Sequence, residues 1–257
     1  MSLPKAPVPA GPLPQPPAAA RAPFRRRHVI WALLLIVALL GLWALMPAQT
    51  RYLLVASLRT QGRAVALVLG FGALSLSLLW AAGEKVDAWT FLLFNLRGRR
   101  PLWLDWGMLG LTQLGNGLMP FILVGVAYSN GDRQLALEAA LGTMTLWLVV
   151  EAVKAVVGRA RPFVGIAAAR IVGFREPGRS FPSGHTSQSF FLAALLIHHY
   201  QLASWAALGL YVLALAIGLT RMYVGAHYPR DVLAGAILGS LWGLLGVLVD
   251  QRFFPRL

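Results

Sequence analysis

Residues 221–249 read RMYVGAHYPRDVLAGAILGSLWGLLGVLV and place a short polar motif directly before an uncharged apolar run. As an α-helix rising about 1.5 Å per residue, Val232–Val249 can cross most of a hydrocarbon layer about 30 Å thick. The motif Arg221-x5-His227-x3-Asp231 puts a cation, an imidazole and a carboxylate at the start of that helix. A carboxylate four residues after a histidine can hold the imidazole in one tautomer and stabilise its charged form. These residues predict a membrane helix with a chemical site at one end.

The composition of the whole chain is that of an integral membrane protein. Of its 257 residues, 58% are hydrophobic and only 12% are charged, and the mean hydropathy is +0.65. The apolar residues come in long runs, which excludes a soluble globular domain. Seven such runs predict seven spans: Val29–Thr50, Ala64–Gly83, Gly107–Gly131, Leu135–Val157, His185–Tyr200, Leu202–Thr220 and Val232–Val249. The fifth is short, so it can begin inside the protein at the preceding Pro-Ser-Gly turn.

Three cations at the ends of spans predict a binding site for a phosphate group. The motif Lys154-x6-Arg161-Pro162 closes the fourth span, and Arg221 follows the sixth. Guanidinium forks match phosphate oxygens two at a time, and fixed positive charges neutralise a phosphoryl group during transfer. The three cations thus supply, without a metal ion, the charge that phosphoryl transfer needs.

The motif Pro182-Ser183-Gly184-His185 opens the fifth span. The backbone N–H groups of Ser183 and Gly184 are expected at a helix N-terminus, where unpaired donors and the macrodipole favour an anion. His227 is then the candidate nucleophile, and His185 is the candidate general acid that protonates the departing oxygen. If each span crosses once, all these helix ends lie at the same face of the membrane.

These three motifs, in this order, closely resemble those of the type 2 phosphatidic acid phosphatases, the membrane branch of a superfamily that also contains vanadium haloperoxidases and bacterial class A acid phosphatases. The resemblance covers Trp80 to about Val249; one small departure is Thr220, where the family usually has serine. It implies an all-α, polytopic membrane fold with a six-helix phosphatase core, to which the first helix is an addition. It also implies phosphate binding by Lys154, Arg161 and Arg221, hydrogen bonds to phosphate from Ser183 and Gly184, proton donation by His185, attack on phosphorus by His227, and orientation of His227 by Asp231.

Composition divides the chain into four parts. Residues 1–28 form a basic tail rich in Pro and Ala, which is expected to be disordered. Residues 29–62 hold the extra N-terminal transmembrane helix and a linker, residues 63–250 the membrane phosphatase domain, and residues 251–257 a C-terminal tail. The apolar run after Arg27 resembles a signal peptide, but its poor cleavage site favours an uncleaved anchor.

The segment Glu84–Trp106 mixes charged and aromatic residues and predicts an amphipathic stretch on the membrane surface. Its Arg97, Arg99 and Arg100 either meet lipid headgroups or form a solvated or lipid-facing cluster.

Other polar residues have structural interpretations. Glu151 is expected to pair with the lysine three residues later and to lower the cost of burying it. His198 and His199 have no partner pattern, which favours satisfied core groups. Asp231 follows Pro229 in the first turn of the last helix, where a carboxylate also suits the helix dipole.

Several classes of function are excluded. The chain has no cysteine, so it has no disulfide, thiolate metal site or cysteine nucleophile. It has no clustered carboxylate pair, Asp-rich motif or His-x3-His pattern, so no metal or other cofactor is expected. The net charge of +14 fits anionic lipid surfaces better than nucleic acid, for which no fold signature is present.

The sequence therefore predicts an integral membrane enzyme that hydrolyses a phosphomonoester or diphosphate on a lipid through a phosphohistidine. The resemblance implies phosphatidic acid, phosphatidylglycerophosphate, undecaprenyl diphosphate or lipid A phosphates as substrates, and no residue selects among them. A membrane transporter or flippase is the alternative; it predicts paired repeats and helices broken in mid-span, and the sequence indicates neither. A haloperoxidase is disfavoured by seven spans and the lack of a soluble core.

The distribution of basic residues and the family resemblance predict opposite orientations of the site. With seven spans, the tail and the site share a side that holds 17 of the 23 Lys and Arg residues, which predicts a cytoplasmic site. Three of these cations are there for chemistry, however, and the resemblance implies an outward site in bacteria. The extracytoplasmic face is favoured, and no oligomeric state is indicated.

Overall fold

The computed structural model describes residues 61–95 and 100–253, with a few isolated positions between 41 and 52. Within residues 61–95 and 100–253 the regular structure is entirely helical, which confirms the predicted all-α fold class. The helices are α1 (Gly62–Ser77), α2 (Ala81–Asn95), α3 (Leu102–Gln113), α4 (Leu118–Ser129), α5 (Arg133–Val157), α6 (Pro162–Gly165), α7 (Gly184–His199), α8 (Ser204–Tyr223) and α9 (Pro229–Phe253).

Three of these helices, α5, α8 and α9, are long and apolar enough to cross a membrane. Two further candidates are bent pairs: α1 and α2 meet at 97°, and α3 and α4 meet at 55°. The described residues therefore give three spans, or up to five if each pair counts as one. Neither Ala64–Gly83 nor Gly107–Gly131 forms one straight helix, because a turn breaks each apolar run; that each run crosses the membrane stays a prediction.

The first break has local and tertiary causes. The hydroxyl groups of Ser75 and Ser77 donate to the carbonyl oxygens of Phe71 and Leu74, at 2.8 and 2.7 Å, and so compete for groups of the helix backbone. The carbonyl oxygen of Ser77 accepts from Nη1 of Arg230 at 2.6 Å, which ties the end of α1 to α9.

The helix α2 forms the first part of the segment Glu84–Trp106 and buries only one face, as expected of an amphipathic helix; its position on the membrane surface stays a prediction. Asp87, Phe91 and Asn95 form the buried face of this helix. Asp87 and Asn95 each hydrogen-bond there to distant parts of the chain. The later part of the segment does expose its aromatic side chains, with Trp103 72% exposed at the start of α3.

The second break lies beside the start of α7. A Cβ atom added at Gly115 would come within 3.1 Å of the carbonyl oxygen of His185 and 2.9 Å of Oγ of Ser189. The turn between α3 and α4 thus packs directly on the first turns of α7. Broken helices are not indicated by the apolar runs of the sequence, and this turn is a correction to the predicted run Gly107–Gly131.

The helix α7 is the centre of the bundle and packs against α5, α8 and α9. Its contact with α9 follows a stripe of glycines four residues apart: Gly235, Gly239 and Gly243. Added Cβ atoms there would lie 2.7 Å from the Ser183 carbonyl oxygen, 2.2 Å from that of Ser187 and 2.3 Å from Cβ of Ala194. Small residues at this spacing let two membrane helices approach closely. The close contact brings the first turn of α9 next to the first turn of α7.

The ends of α5 are fixed by local hydrogen bonds. At its start the Asp132 carboxylate accepts from the backbone N–H of Leu135 at 3.0 Å, and at its end Gly158 adopts a left-handed conformation with φ of 64°. His199 lies near the start of α5, with Nε2 2.8 Å from the Asp132 carboxylate, so its predicted structural role is confirmed. The predicted pair of Glu151 with Lys154 is also present, at 2.8 Å.

Some predictions fall outside the described residues: the tail 1–28, the helix Val29–Thr50 as a whole, Arg97, Arg99 and residues 254–257. The four domain boundaries stay predictions.

Candidate functional site

The three motifs meet where α5 and α8 end and where α7 and α9 begin. Nη1 of Arg161 lies 3.3 Å from Nε2 of His227, and Arg221 and His185 line one cavity of about 370 Å³. Arg161, Arg221 and His227 are all at least 96% buried. The structure thus brings together residues from three motifs that span 78 positions of sequence from Lys154 to Asp231.

The start of α7 is organised by Ser183. Its Oγ accepts from the backbone N–H and the hydroxyl group of Thr186, at 3.4 and 2.9 Å, which is the geometry of an N-cap. The backbone N–H of Ser183 donates to the carbonyl oxygen of Asp231 at 3.0 Å. The predicted anion donor at Ser183 is therefore already engaged by α9. Lys154 is close to the next residue, since its Nζ lies 4.0 Å from a Cβ added at Gly184.

His227 is oriented mainly by a backbone group that the sequence did not reveal. Its Nδ1 lies 2.7 Å from the carbonyl oxygen of Ser180 and 3.6 Å from Oδ2 of Asp231. A proton on Nδ1 is donated to the Ser180 carbonyl oxygen, which leaves Nε2 with its lone pair facing Arg161. The hydroxyl group of Ser180 donates to the Asp231 carboxylate, so Asp231 also acts on His227 through Ser180.

Asp231 is fully buried and receives several hydrogen bonds. Nη1 of Arg159 donates to it at 2.5 Å, and the backbone N–H of Tyr228 donates at 2.9 Å. Arg159 also pairs with Asp87 and lies 4.2 Å above the ring of Tyr228. Sequence reasoning missed Arg159, although it stands inside the Lys154-x6-Arg161 motif.

Glu176 is a second residue that sequence reasoning missed. Its Oε2 lies 3.0 Å from Nη1 of Arg161, and its Oε1 accepts from Nη2 of Arg221. Burial acts to raise the pKa of Glu176, but Arg221, with smaller contributions from other cationic groups, lowers it to about 2. The residue lies in the segment between α6 and α7, and no local pattern marks it as part of the site.

The cavity is lined by both polar and apolar residues. Its lining residues are Leu109, Thr112, Gln113, Asn116, Val172, Phe174, Glu176, His185, Arg221, Val224 and Ala226. Within the described part of the chain, Nε of Arg161 and Nε of Arg221 are buried without a hydrogen-bond acceptor. Two buried guanidinium groups with spare donors can bind the oxygens of a phosphate beside Nε2 of His227. No group of three or more metal-ligating side chains occurs in the same described ranges.

Comparison with known proteins bears on this site. A family model described as the PAP2 superfamily matches residues 135–255. Phosphatidylglycerophosphatase B of Bacillus subtilis is 32% identical over 169 residues, which cover 60% of this chain and 78% of that protein. The chain belongs to the PAP2 superfamily.

Other PAP2 relatives support the same assignment. Lipid A 4'-phosphatase of Bacteroides thetaiotaomicron is 38% identical over 85 residues, but this chain spans only 37% of that protein's length. The crystal structure of the transmembrane PAP2 type phosphatidylglycerolphosphate phosphatase from Bacillus subtilis superposes with a TM-score of 0.63 at 27% identity, covering 75% of this chain and 98% of that one. The predicted multi-pass membrane fold is therefore confirmed. The roles of the individual site residues stay predictions.

Proposed function

We propose that this PAP2 chain is a metal-independent lipid phosphatase that hydrolyses a phosphomonoester or diphosphate on a membrane lipid. The observation that carries the proposal is the position of Nε2 of His227, 3.3 Å from Nη1 of Arg161 in a site with a second buried guanidinium group, that of Arg221. A phosphate held by these two groups presents its phosphorus atom to the imidazole. The family membership and the lipid phosphatase names of the relatives support it.

The reaction runs in two steps. In the first, Nε2 of His227 attacks phosphorus, the bond from phosphorus to the lipid oxygen breaks, and His185 gives that oxygen a proton. Lys154, Arg161 and Arg221 neutralise the equatorial oxygens. The backbone N–H of Gly184 and the hydroxyl proton of Ser183 add hydrogen bonds, since the backbone N–H of Ser183 is held by the carbonyl oxygen of Asp231.

In the second step, water attacks the phosphohistidine and passes a proton to His185. The bond between nitrogen and phosphorus breaks and inorganic phosphate leaves. Asp231 stabilises the imidazolium form of His227, through its own charge and through Ser180.

A lipid substrate is supported by the exposed apolar side chains on a helix that lines the cavity, such as Trp103 and Trp106 of α3, and by the lipid phosphatase names of the relatives. Candidates are phosphatidic acid, phosphatidylglycerophosphate, undecaprenyl diphosphate and lipid A phosphates, and the last three match the names of relatives. Membrane lipids are the expected neighbours, and nucleic acid is not an expected partner. The extracytoplasmic face is the proposed side of the site.

The turn between α3 and α4 weakens the transporter alternative, although that alternative predicted broken helices. The turn packs against His185, at the first turn of α7, and so lies at the level of the helix ends where the cations meet. A permeation path needs its break near the middle of the spans.

A substrate panel on the purified protein tests the proposal. Phosphate released from each candidate lipid is measured in EDTA, with and without orthovanadate, and with His227→Ala as the control variant. We expect release in EDTA, inhibition by vanadate as a transition-state analogue, and no turnover by the folded His227→Ala protein. A strict requirement for magnesium, or full activity of His227→Ala, would refute the mechanism.

A further inference from the structure

The carboxylate of Glu176 lies between the two arginines that the proposed function assigns to phosphate. One oxygen of Glu176 pairs with Arg161 and the other with Arg221. The guanidinium groups are almost fully buried, whereas the side chain of Glu176 is 26% exposed. The carboxylate therefore lies on the cavity side of the two arginines and pairs with both.

Carboxylate and phosphate compete for the same kind of partner. Each offers a pair of oxygens that matches a guanidinium fork, and each gains from the positive charge. The donors Nη1 of Arg161 and Nη2 of Arg221 that face Glu176 are among those that a phosphate beside His227 needs. Full engagement of both arginines by phosphate and by Glu176 at the same time would place two anions in contact.

The surroundings of Glu176 allow it to leave. It belongs to the irregular segment from Ile166 to Ser183 between α6 and α7. Beside the ion pairs of Glu176, Nη2 of Arg161 donates a 3.2 Å hydrogen bond to the carbonyl oxygen of Pro177 in this segment. Separating Glu176 from the arginines does not require moving a helix.

We propose that Glu176 is an internal competitor of the phosphate group and sets the affinity of the site, an inference that rests on the proposed phosphatase function. Its carboxylate holds Arg161 and Arg221 until a substrate phosphate displaces it. It returns as inorganic phosphate departs, so that the buried arginines keep a counter-charge at every stage and product binds weakly.

The test compares Glu176→Gln with the wild type for binding of orthovanadate and inorganic phosphate. The matched control is Glu138→Gln, which removes the same charge from a carboxylate beside His199, near the opposite end of α5. Binding is measured directly by calorimetry and as inhibition of lipid phosphate hydrolysis. We expect Glu176→Gln to bind both anions at least about tenfold more tightly, as for loss of one competing ion pair, while Glu138→Gln binds them like the wild type.

Thermal unfolding of Glu176→Gln provides a second measurement of the proposed competition. Without Glu176 two buried guanidinium groups lose their counter-charge, so Glu176→Gln should unfold at a lower temperature without phosphate and recover most of the loss in saturating orthovanadate. Unchanged or weaker anion binding by Glu176→Gln would overturn the proposal, and so would a Glu176→Gln protein that stays unfolded in saturating orthovanadate. Calorimetry detects the anion even if no lipid in the panel is hydrolysed, which separates failure of this inference from failure of the proposed function.

Discussion

His227 shows how one side chain in this site depends on groups from several elements. The nearest partner of Nδ1 is the carbonyl oxygen of Ser180, at 2.7 Å, and the Asp231 carboxylate contacts both residues. Asp231→Asn keeps the volume but removes the charge that stabilises an imidazolium. We expect at least about a hundredfold loss of turnover with little change in substrate KM. Steady-state kinetics on purified protein measure both, and a change confined to KM would contradict this role.

Arg159 neutralises two buried carboxylates at once. Arg159→Met would leave Asp87 and Asp231 short of positive charge in the interior, which costs about 3–5 kcal/mol of unfolding free energy when one partner of a buried ion pair is removed. Arg179→Met is the control, because Arg179 is exposed and its side chain donates, among the described residues, to the carbonyl oxygen of Gly158 alone, at 3.2 Å. Thermal unfolding in detergent should separate the two variants clearly. Equal stability would show that Arg159 does not carry this charge balance.

Burial and the charges of Arg161 and Arg221 change the pH range in which His227 is neutral. Burial, the largest effect, lowers the pKa of His227 to about 4 from an ordinary value near 6.5. In the proposed mechanism, the neutral imidazole is therefore available to attack phosphorus above about pH 4. We expect the acid limb of kcat/KM to fall well below pH 6, which a pH profile measures; a limb at 6.5 would contradict the shift.

The same shift has a consequence for stability. Between pH 6.5 and 4 the unfolded chain takes up a proton on His227 that the folded protein does not. Stability therefore rises with pH in this window, and the contribution of His227 is lost as pH falls through about 4.

The sequence revealed the residues of the site whose role is encoded by spacing. Lys154, Arg161, His185 and Arg221 stand at helix ends that local motifs define. Ser180 escaped because it acts through a carbonyl oxygen, which every residue possesses. Glu176 and Arg159 escaped for a related reason, since their partners lie 45 and 72 positions away and only the folded chain brings them near.

At the level of elements, the glycine stripe of α9 determines how closely α7 and α9 approach. Gly239→Ala would place a Cβ atom 2.2 Å from the Ser187 carbonyl oxygen, so the helices have to separate. We expect a loss of about 1–3 kcal/mol, typical of overpacking, together with lower activity because Asp231 moves with α9. Gly246→Ala is the control on the same helix, since no atom of the described part of the chain lies within 4 Å of its added Cβ. Unfolding and phosphate release measure the two effects, and matching results for the two variants would argue against the stripe.

Hydropathy predicted the long helices well and the bent ones poorly. A run of apolar residues gives the same signal whether its helix is straight or turns, because the signal depends on composition alone. The turns are set by contacts across the bundle. Examples are the hydrogen bond from Arg230 to the carbonyl oxygen of Ser77 and the packing of Gly115 against α7. The glycine stripe, in contrast, is visible in the printed sequence as Gly235-x3-Gly239-x3-Gly243.

On the scale of the whole molecule, exposed tryptophans lie near both ends of α8. Trp103 and Trp106 lie near the site, because the neighbouring Asp105 bonds to Tyr223 at the end of α8. Trp205, 80% exposed, lies at the start of α8. A helix of 20 residues is about 30 Å long, which matches the hydrocarbon layer.

The absence of cysteine makes the orientation testable. Arg179→Cys places a thiol in the loop beside the site, and Asn130→Cys places one before α5, at the other end of that span. With a membrane-impermeant thiol reagent on intact cells, we expect Arg179→Cys to react and Asn130→Cys to react only after lysis. The reverse pattern would put the site in the cytoplasm, as the count of basic residues suggests. Reaction of both in intact cells would show that α5 does not cross.

Asp87 has a consequence for recombining this protein with its relatives. It accepts hydrogen bonds from Arg159 and Arg230, yet it lies in α2, before the stretch 135–255 that the family model matches. That stretch therefore is not an interchangeable cassette, because part of its charge balance comes from outside it. A chimaera that grafts residues 135–255 onto the first half of a relative needs an acid at the place of Asp87, and a crossover before α2 preserves the native one.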